Sequence, residues 1–261
     1  MNSGPSTERE GHERPTGWGL PRSVRACLFD LDGVLTRTAV VHAAAWKETF
    51  DAFLAAQEGV GFRPFDPVDD YDAYVDGLPR ADGVRGFLAS RGISLPEDAA
   101  SGVPKLHTVR GLGDRKNVLL LRLIRERGVE AYPGSVRYVR AVRSAALRRA
   151  VVSSSANCQD VLVAADIADL FEVRIDAVIA SARSLAGKPH PDTFLAAARM
   201  LGIVPSGCAV FEDSLAGVDA GRAGGFGLVV GVDRTGQAAA LHEHGADVVV
   251  HDLAELLKDT S

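Results

Sequence analysis

Asp30 and Asp32 stand two residues apart at the end of the apolar run Arg25-Ala26-Cys27-Leu28-Phe29, and Gly33 follows them. The run reads as a short buried strand that Gly33 breaks. Side chains alternate along a strand, so both carboxylates lean to the same side as the chain leaves the sheet. Two acids converging there repel one another unless a cation or a shared proton lies between them. An isolated D-x-D is usually a solvated loop pair. This one has company.

Ser153-Ser154-Ser155 closes a second apolar run, and Ala156-Asn157 leads from it into a helical pattern. Hydroxyls and free amides at a helix start suit a phosphate, although a serine-rich turn that caps the helix has the same composition. Lys188 lies on the Pro-flanked turn Gly187-Lys188-Pro189-His190-Pro191-Asp192. A point charge held there neutralises a phosphate oxygen or a carboxylate, or is a plain loop lysine. Phe211-Glu212-Asp213-Ser214 places two more acids at a strand end. Paired acids at two strand ends are the oxygen donors that Mg²⁺ requires.

The elements that must carry these residues alternate from Tyr132 onward. Helical periodicity over Ser135 to Leu147, Cys158 to Ala165, Pro191 to Leu201, Leu215 to Ala223 and Ala238 to His244 is interleaved with strand-like runs. The strand-like runs are Arg149 to Ser153, Ala177 to Ala180, Cys208 to Phe211, Gly227 to Val232 and Asp247 to Val250. This order predicts an α/β fold: a Rossmann-like, doubly wound parallel sheet with helices on both faces. Ligands of such sheets bind beyond the carboxyl ends of the strands.

Residues 41–130 break the alternation. His42 to Ala56 and Asn117 to Arg127 are helical, and the Gly-, Pro- and Asp-rich stretch between them holds no convincing strand. The division that follows is a leader over 1–22, an α/β core over 23–40 and 131–261, and a small helical cap over 41–130 inserted after the first strand. A module so placed can close over the site as a lid.

Composition narrows the partners. The 261 residues are 46% hydrophobic and 24% charged with a formal net charge of -5, which gives no electrostatic reason to expect nucleic acid. No apolar run approaches the roughly 20 residues needed to span a bilayer, so no membrane partner is expected. The three cysteines, at 27, 158 and 208, are widely spaced in apolar surroundings. They read as reduced structural thiols of a cytoplasmic protein. The first 22 residues are polar and lack the apolar centre of a signal peptide. They read as a disordered leader.

Asp30-Leu31-Asp32-Gly33-Val34, Ser153, Lys188-Pro189 and Glu212-Asp213-Ser214 resemble, in order, the four signature motifs of the haloacid dehalogenase superfamily, over about Val24 to Leu257. The resemblance implies aspartyl phosphotransfer. It implies Asp30 as the nucleophile and Asp32 as the general acid/base with its backbone carbonyl on Mg²⁺. Ser153 and Lys188 would hold the phosphoryl group, and Glu212 and Asp213 would complete the metal site. An acid at position 32 disfavours the dehalogenase branch, which needs no proton shuttle.

The insert extends the likeness to the beta-phosphoglucomutase-like branch. Thr38-Ala39, His42 and Ala45-Trp46-Lys47 resemble the first cap helix of that branch, and Gly77-Leu78-Pro79-Arg80 resembles its cap loop. Arg115-Lys116-Asn117 resembles a segment that meets sugar and phosphate, and Tyr132-Pro133-Gly134 resembles the re-entry into the core. The implied substrate-binding set is Thr38, His42, Trp46, Gly77, Arg80, Lys116, Asn117, Ser154, Ser155 and Asn157. The implied reaction is a mutase's, converting beta-glucose 1-phosphate to glucose 6-phosphate through the 1,6-bisphosphate. The alternative is a phosphatase of a small sugar phosphate. A regulator that has lost the chemistry is disfavoured by the intact acids and lysine. The expected partner is a small phosphorylated sugar, and the expected state a monomer or weak dimer. Asp76, Ala156 and Arg37 depart from the branch's usual residues, and residues 90–113 run longer than its cap does.

Overall fold

A computed structural model describes residues 18–58, 61–99 and 105–257 of the chain. Strand β1 (Ala26–Phe29) is followed by helices α1 (Ala39–Glu58), α2 (Asp69–Tyr74), α3 (Arg80–Ser90) and α4 (Val109–Arg127). The chain then alternates through α5 (Pro133–Ser144), β2 (Arg148–Val152), α6 (Cys158–Ala164), β3 (Val173–Ile175), α7 (Ala177–Ala182) and α8 (Asp192–Leu201). It ends with β4 (Cys208–Glu212), α9 (Leu215–Ala223), β5 (Leu228–Val232), α10 (Ala238–His244) and β6 (Val248–Val250).

All five strand pairings are parallel, in the order β3-β2-β1-β4-β5-β6. The order reverses at β1, which pairs with β2 on one side and β4 on the other. A crevice opens beyond the strand ends at such a reversal. Phe29 is abreast of both Val151 and Phe211. Whatever follows these three strands therefore shares one edge of the sheet.

Alternation along β1 serves both faces. Cys27 and Phe29 enter a cluster with Tyr138 and Val142 of α5 and Val161 of α6, while Ala26 and Leu28 enter another with Phe194 and Leu201 of α8. Phe29 stacks on Phe211 with centroids 4.5 Å apart. The insert has a separate core built on Trp46, Phe50, Phe65, Phe87, Val109 and Leu112. Phe50 lies 4.9 Å from Trp46 and 4.2 Å from Phe87, centroid to centroid.

Two peptide stretches join insert and core side by side. Thr36 and Ala131 form an antiparallel bridge, Arg37 N–H donates to Glu130 O at 2.8 Å, and Tyr132 N–H donates to Leu35 O at 2.9 Å.

Three expectations are corrected. Ala177 to Ala180 is not a strand but the body of α7, because the Asp176 carboxylate accepts from Ile179 N–H and caps a helix there. The strand is Val173–Ile175, one turn earlier. Helix α4 begins at Val109, eight residues before Asn117, capped by the Thr108 hydroxyl on Gly111 N–H. The leader is not loose to residue 22: Leu20 is buried, and Tyr138 donates its phenol proton to Trp18 O at 3.0 Å. Residues 1–17 of that leader lie outside the described residues.

Candidate active site

Asp30 follows β1 directly, and its N–H donates to Phe211 O at 2.9 Å, prolonging the ladder by one bond. Its carboxylate is buried and meets Lys188 Nζ at 2.5 Å. The ammonium also pairs with the Glu212 carboxylate and reaches Val152 O at 3.4 Å. Burial alone would discharge Lys188, but the charges of Asp30 and Glu212 outweigh it and push its pKa up. Lys188 is fully cationic at neutral pH.

Asp32 has polar side chains on three sides. The Thr38 hydroxyl donates to one carboxylate oxygen, the Ser153 hydroxyl lies 3.4 Å from the other, and His42 Nε2 stands 3.6 Å from the first. Between Asp32 and the next acids runs Gly33, with φ +95°; a Cβ there would lie 1.7 Å from Asp213 Oδ2. The close approach of the two loops depends on glycine.

Asp30, Glu212 and Asp213 each present a carboxylate oxygen within 4.8 Å of the others. Burial raises the Asp30 pKa well above the usual carboxylate range; Lys188 opposes this, while Glu212 and Asp32 add to it. Asp213 is raised in the same way, by burial and then by Asp76, Asp30 and Glu212. One lysine pairs with two of the four core acids. The donor set is all oxygen, anionic and buried, and a divalent cation fits it.

The serine turn after β2 is stitched by its own hydroxyls. Ser155 N–H donates to Ser153 Oγ at 3.0 Å and Asn157 N–H to Ser155 Oγ at 3.2 Å. Its other side chains turn outward to the insert. The Ser154 hydroxyl donates to Gly77 O at 2.7 Å, and Asn157 Nδ2 donates to Asn117 Oδ1 at 2.8 Å. Gly77, at φ +68°, lets its loop approach the core: a Cβ would lie 2.2 Å from Ser214 Oγ.

The insert supplies cations. His42 and Trp46 are one turn apart on α1 and share a face. Lys116 on α4 places Nζ 3.2 Å from His42 Nδ1 and 4.9 Å above the Trp46 ring. Arg80 starts α3 and donates to Asn117 Oδ1 at 2.8 Å. Burial, reinforced by Arg80, pushes Lys116 down to about 7, with Asp32 opposing. Burial and Lys116 push His42 down to about 4, so its imidazole is neutral.

One cavity of about 50 Å³ joins the two sides. Asp30, Asp32, Ser154, Ser155, Asp213 and Ser214 form its core wall, and His42, Trp46, Gly77, Arg80 and Lys116 its insert wall. Thr38, Asn117, Ser153, Asn157, Lys188 and Glu212 stand behind these as their hydrogen-bond or ion-pair partners. Every residue expected at the site is therefore gathered there. Five lining residues were not among those expected at the site: Tyr71, Val75, Asp76 and Leu78 of the insert and Ser214 of the core. Burial and the charges of Asp72 and Glu212 push Asp76 up to about 7, against its hydrogen bond with Tyr71. The half-buried Asp76 was visible only as a departure from the expected residue type, and Tyr71 carried no signal.

Residues 24–225 match the family described as haloacid dehalogenase-like hydrolase. The chain is 55% identical over 245 residues to a beta-phosphoglucomutase of Mycobacterium tuberculosis (strain CDC 1551 / Oshkosh), covering 92% of this chain and 94% of that protein. It is 32% identical over 237 residues to a beta-phosphoglucomutase of Bacillus subtilis (strain 168), covering 89% and 92%. The crystal structure of a beta-phosphoglucomutase from Clostridium difficile superposes with a TM-score of 0.71 at 28% identity, over 89% of this chain and 93% of that one.

Proposed function

The chain belongs to the haloacid dehalogenase-like hydrolase family, and on that premise we propose that it is a Mg²⁺-dependent aspartyl phosphotransferase interconverting beta-glucose 1-phosphate and glucose 6-phosphate through glucose 1,6-bisphosphate. The observation that carries this reading is the two-walled cavity. Asp30 and Asp32 face Arg80 and Lys116 across it. A mutase must transfer one phosphoryl group while holding a second, and then rebind the sugar turned end for end. That demands a cation remote from the nucleophile, best a planar guanidinium.

In this mechanism an Asp30 oxygen attacks phosphorus; the Asp30 O–P bond forms as the bond from phosphorus to the sugar oxygen breaks. Asp32 gives the departing oxygen a proton and takes one back when the other hydroxyl attacks phospho-Asp30. Its contacts with Thr38 and Ser153 aim it for both steps. Lys188 and Ser153 hold the equatorial oxygens. Asp30, Glu212 and Asp213, with the Asp32 carbonyl, would hold Mg²⁺, which when bound screens the repulsion between carboxylate and phosphoryl group.

The insert, residues 41–130, acts as a cap in this reading. The cavity's 50 Å³ is far below the roughly 300–1,000 Å³ of small-molecule sites, so sugar exchange requires the cap to swing away. The enzyme works in the cytoplasm as a monomer or weak dimer; no helix among the described residues is long and apolar enough to cross a membrane.

The test is incubation with beta-glucose 1-phosphate, Mg²⁺ and catalytic glucose 1,6-bisphosphate. Glucose 6-phosphate should accumulate without net phosphate release. Release of inorganic phosphate without isomerisation would overturn the mutase and assign a phosphatase on the same scaffold.

A further inference from the structure

The five residues after β5, Asp233-Arg234-Thr235-Gly236-Gln237, belong to none of the matched motifs, yet they touch four parts of the machinery. Their backbone is fixed from within. Buried Asp233 accepts from Gly236 N–H at 2.7 Å and from Gln237 N–H at 2.9 Å, and its own N–H donates to Val250 O at 2.8 Å. Such a turn is a rigid platform at a strand's carboxyl end.

Three side chains leave the platform in three directions. Arg234 donates through Nε to Gly33 O at 2.8 Å and through Nη1 to His251 O at 2.5 Å. Its guanidinium carbon lies 3.7 Å from the centroid of the Tyr132 ring. Gln237 Nε2 donates to Asp213 O at 3.2 Å. Thr235 Oγ1 lies 3.4 Å from Asp72 of the insert. The loop also walls a second cleft of about 180 Å³ between core and insert, from which Tyr71, Asp76 and Asp213 separate the active cavity.

We infer that loop 233–237 is a positioning element, with Arg234 setting the Gly33 peptide beside the proton shuttle and Gln237 setting the loop that carries Asp213. The inference rests on the function proposed above. Gly33 is the peptide on which the approach of Asp32 and Asp213 depends, because a side chain there would meet Asp213. Its carbonyl is held by Arg234. The same guanidinium grips the hinge. Tyr132 is the residue on which the chain re-enters the core, and Arg37, from the stretch that leaves the core, lies over the same ring at 4.6 Å. Arg37 is itself joined to Glu130 by an ion pair of 3.3 Å. A planar fork can donate to two carbonyls while its face covers a ring; a lysine ammonium cannot. The position therefore requires arginine and not merely a positive charge.

The test measures kcat and KM for beta-glucose 1-phosphate together with the affinity of the Mg²⁺-fluoroberyllate complex that mimics phosphorylated Asp30. Arg234→Lys and Arg234→Ala should each lower kcat and weaken fluoroberyllate about 10–100-fold, as loss of a supporting partner does, with KM moving less than about 3-fold. Gln237→Met, on a half-exposed residue, should raise the Mg²⁺ concentration for half-activation about 10-fold. Should Arg234→Ala fail to fold, Arg234→Lys and Gln237→Met decide. Wild-type kcat and fluoroberyllate affinity in Arg234→Lys would overturn the inference, as would an unchanged Mg²⁺ dependence in Gln237→Met. If the enzyme proves to be a phosphatase, kcat is read on phosphate release and the fluoroberyllate titration stands. Failure of the functional reading is thus distinguishable from failure of this inference.

Discussion

On the core wall of the cavity the functional groups follow parallel strands whose register brings Phe29, Val151 and Phe211 abreast. On the insert wall they come from α1, the loop before α3, the start of α3, and α4, pieces with no shared hydrogen-bond ladder. The charges differ as well. Core Lys188 is surrounded by acids and held cationic. Insert Lys116 is buried beside Arg80 with its pKa pushed down to about 7, and burial lowers Arg80 too. Acids dominate the core wall, where Lys188 is their counter-ion, and the cations Arg80 and Lys116 dominate the insert wall, where Asp76 is the acid. A metal ion and a remote phosphate are the complements such walls call for. In the proposed reading, chemistry belongs to the core wall and recognition to the insert wall.

Arg80→Ala breaks this comparison most sharply. If Arg80 serves only recognition of a second phosphate, isomerisation should fall about 10²–10³-fold in kcat/KM, as loss of one charge-directed donor does. Hydrolysis of a small monophosphate such as acetyl phosphate, which reaches the core wall alone, should change less than about 3-fold. Equal losses in both assays would mean that the two walls are not functionally separate.

Lys116→Met sharpens it with a smaller effect. The folded pKa of Lys116, about 7, lies below its ordinary 10.5. The unfolded chain therefore binds more protons between those values, and this residue's contribution to stability rises as pH increases from about 7 toward 10.5. Below about 7 the folded protein carries a buried charge that methionine would remove. The variant should melt higher than the parent at neutral pH, lose that advantage in alkali, and isomerise about 10-fold more slowly. Thermal melts and rates across neutral to alkaline pH check both. A variant that melts lower at neutral pH would contradict the assigned burial cost.

What could be read from the chain follows the same division. Asp30, Asp32, Glu212 and Asp213 announce themselves because each pair closes an apolar run, and strand ends are local features. Leu215–Ala223 and Ala238–His244 have the bounds that their periodicity indicates, helped by the Ser214 cap and by Gly245 in the left-handed conformation. The short apolar run at 177–180 could not be told from a strand by period alone, and only the Asp176 cap bond settles it as helix. The first turns of α4 were masked by Gly111 and Gly113, poor helix formers; packing of Val109 and Leu112 in the insert core overrides them. Tyr71 and loop 233–237 were illegible for another reason. Their roles arise from contacts with residues 33, 132 and 213, far away in sequence.

The central claim is that the phosphoryl group passes through Asp30. It is tested most directly by brief exposure of the enzyme to glucose 1,6-bisphosphate labelled in its phosphates, followed by acid quench, proteolysis and mapping of the label. One labelled carboxylate is expected, Asp30, with the label chased into sugar phosphate by added beta-glucose 1-phosphate and absent from Asp30→Asn. Label on another residue, or undiminished isomerisation by Asp30→Asn, would contradict it.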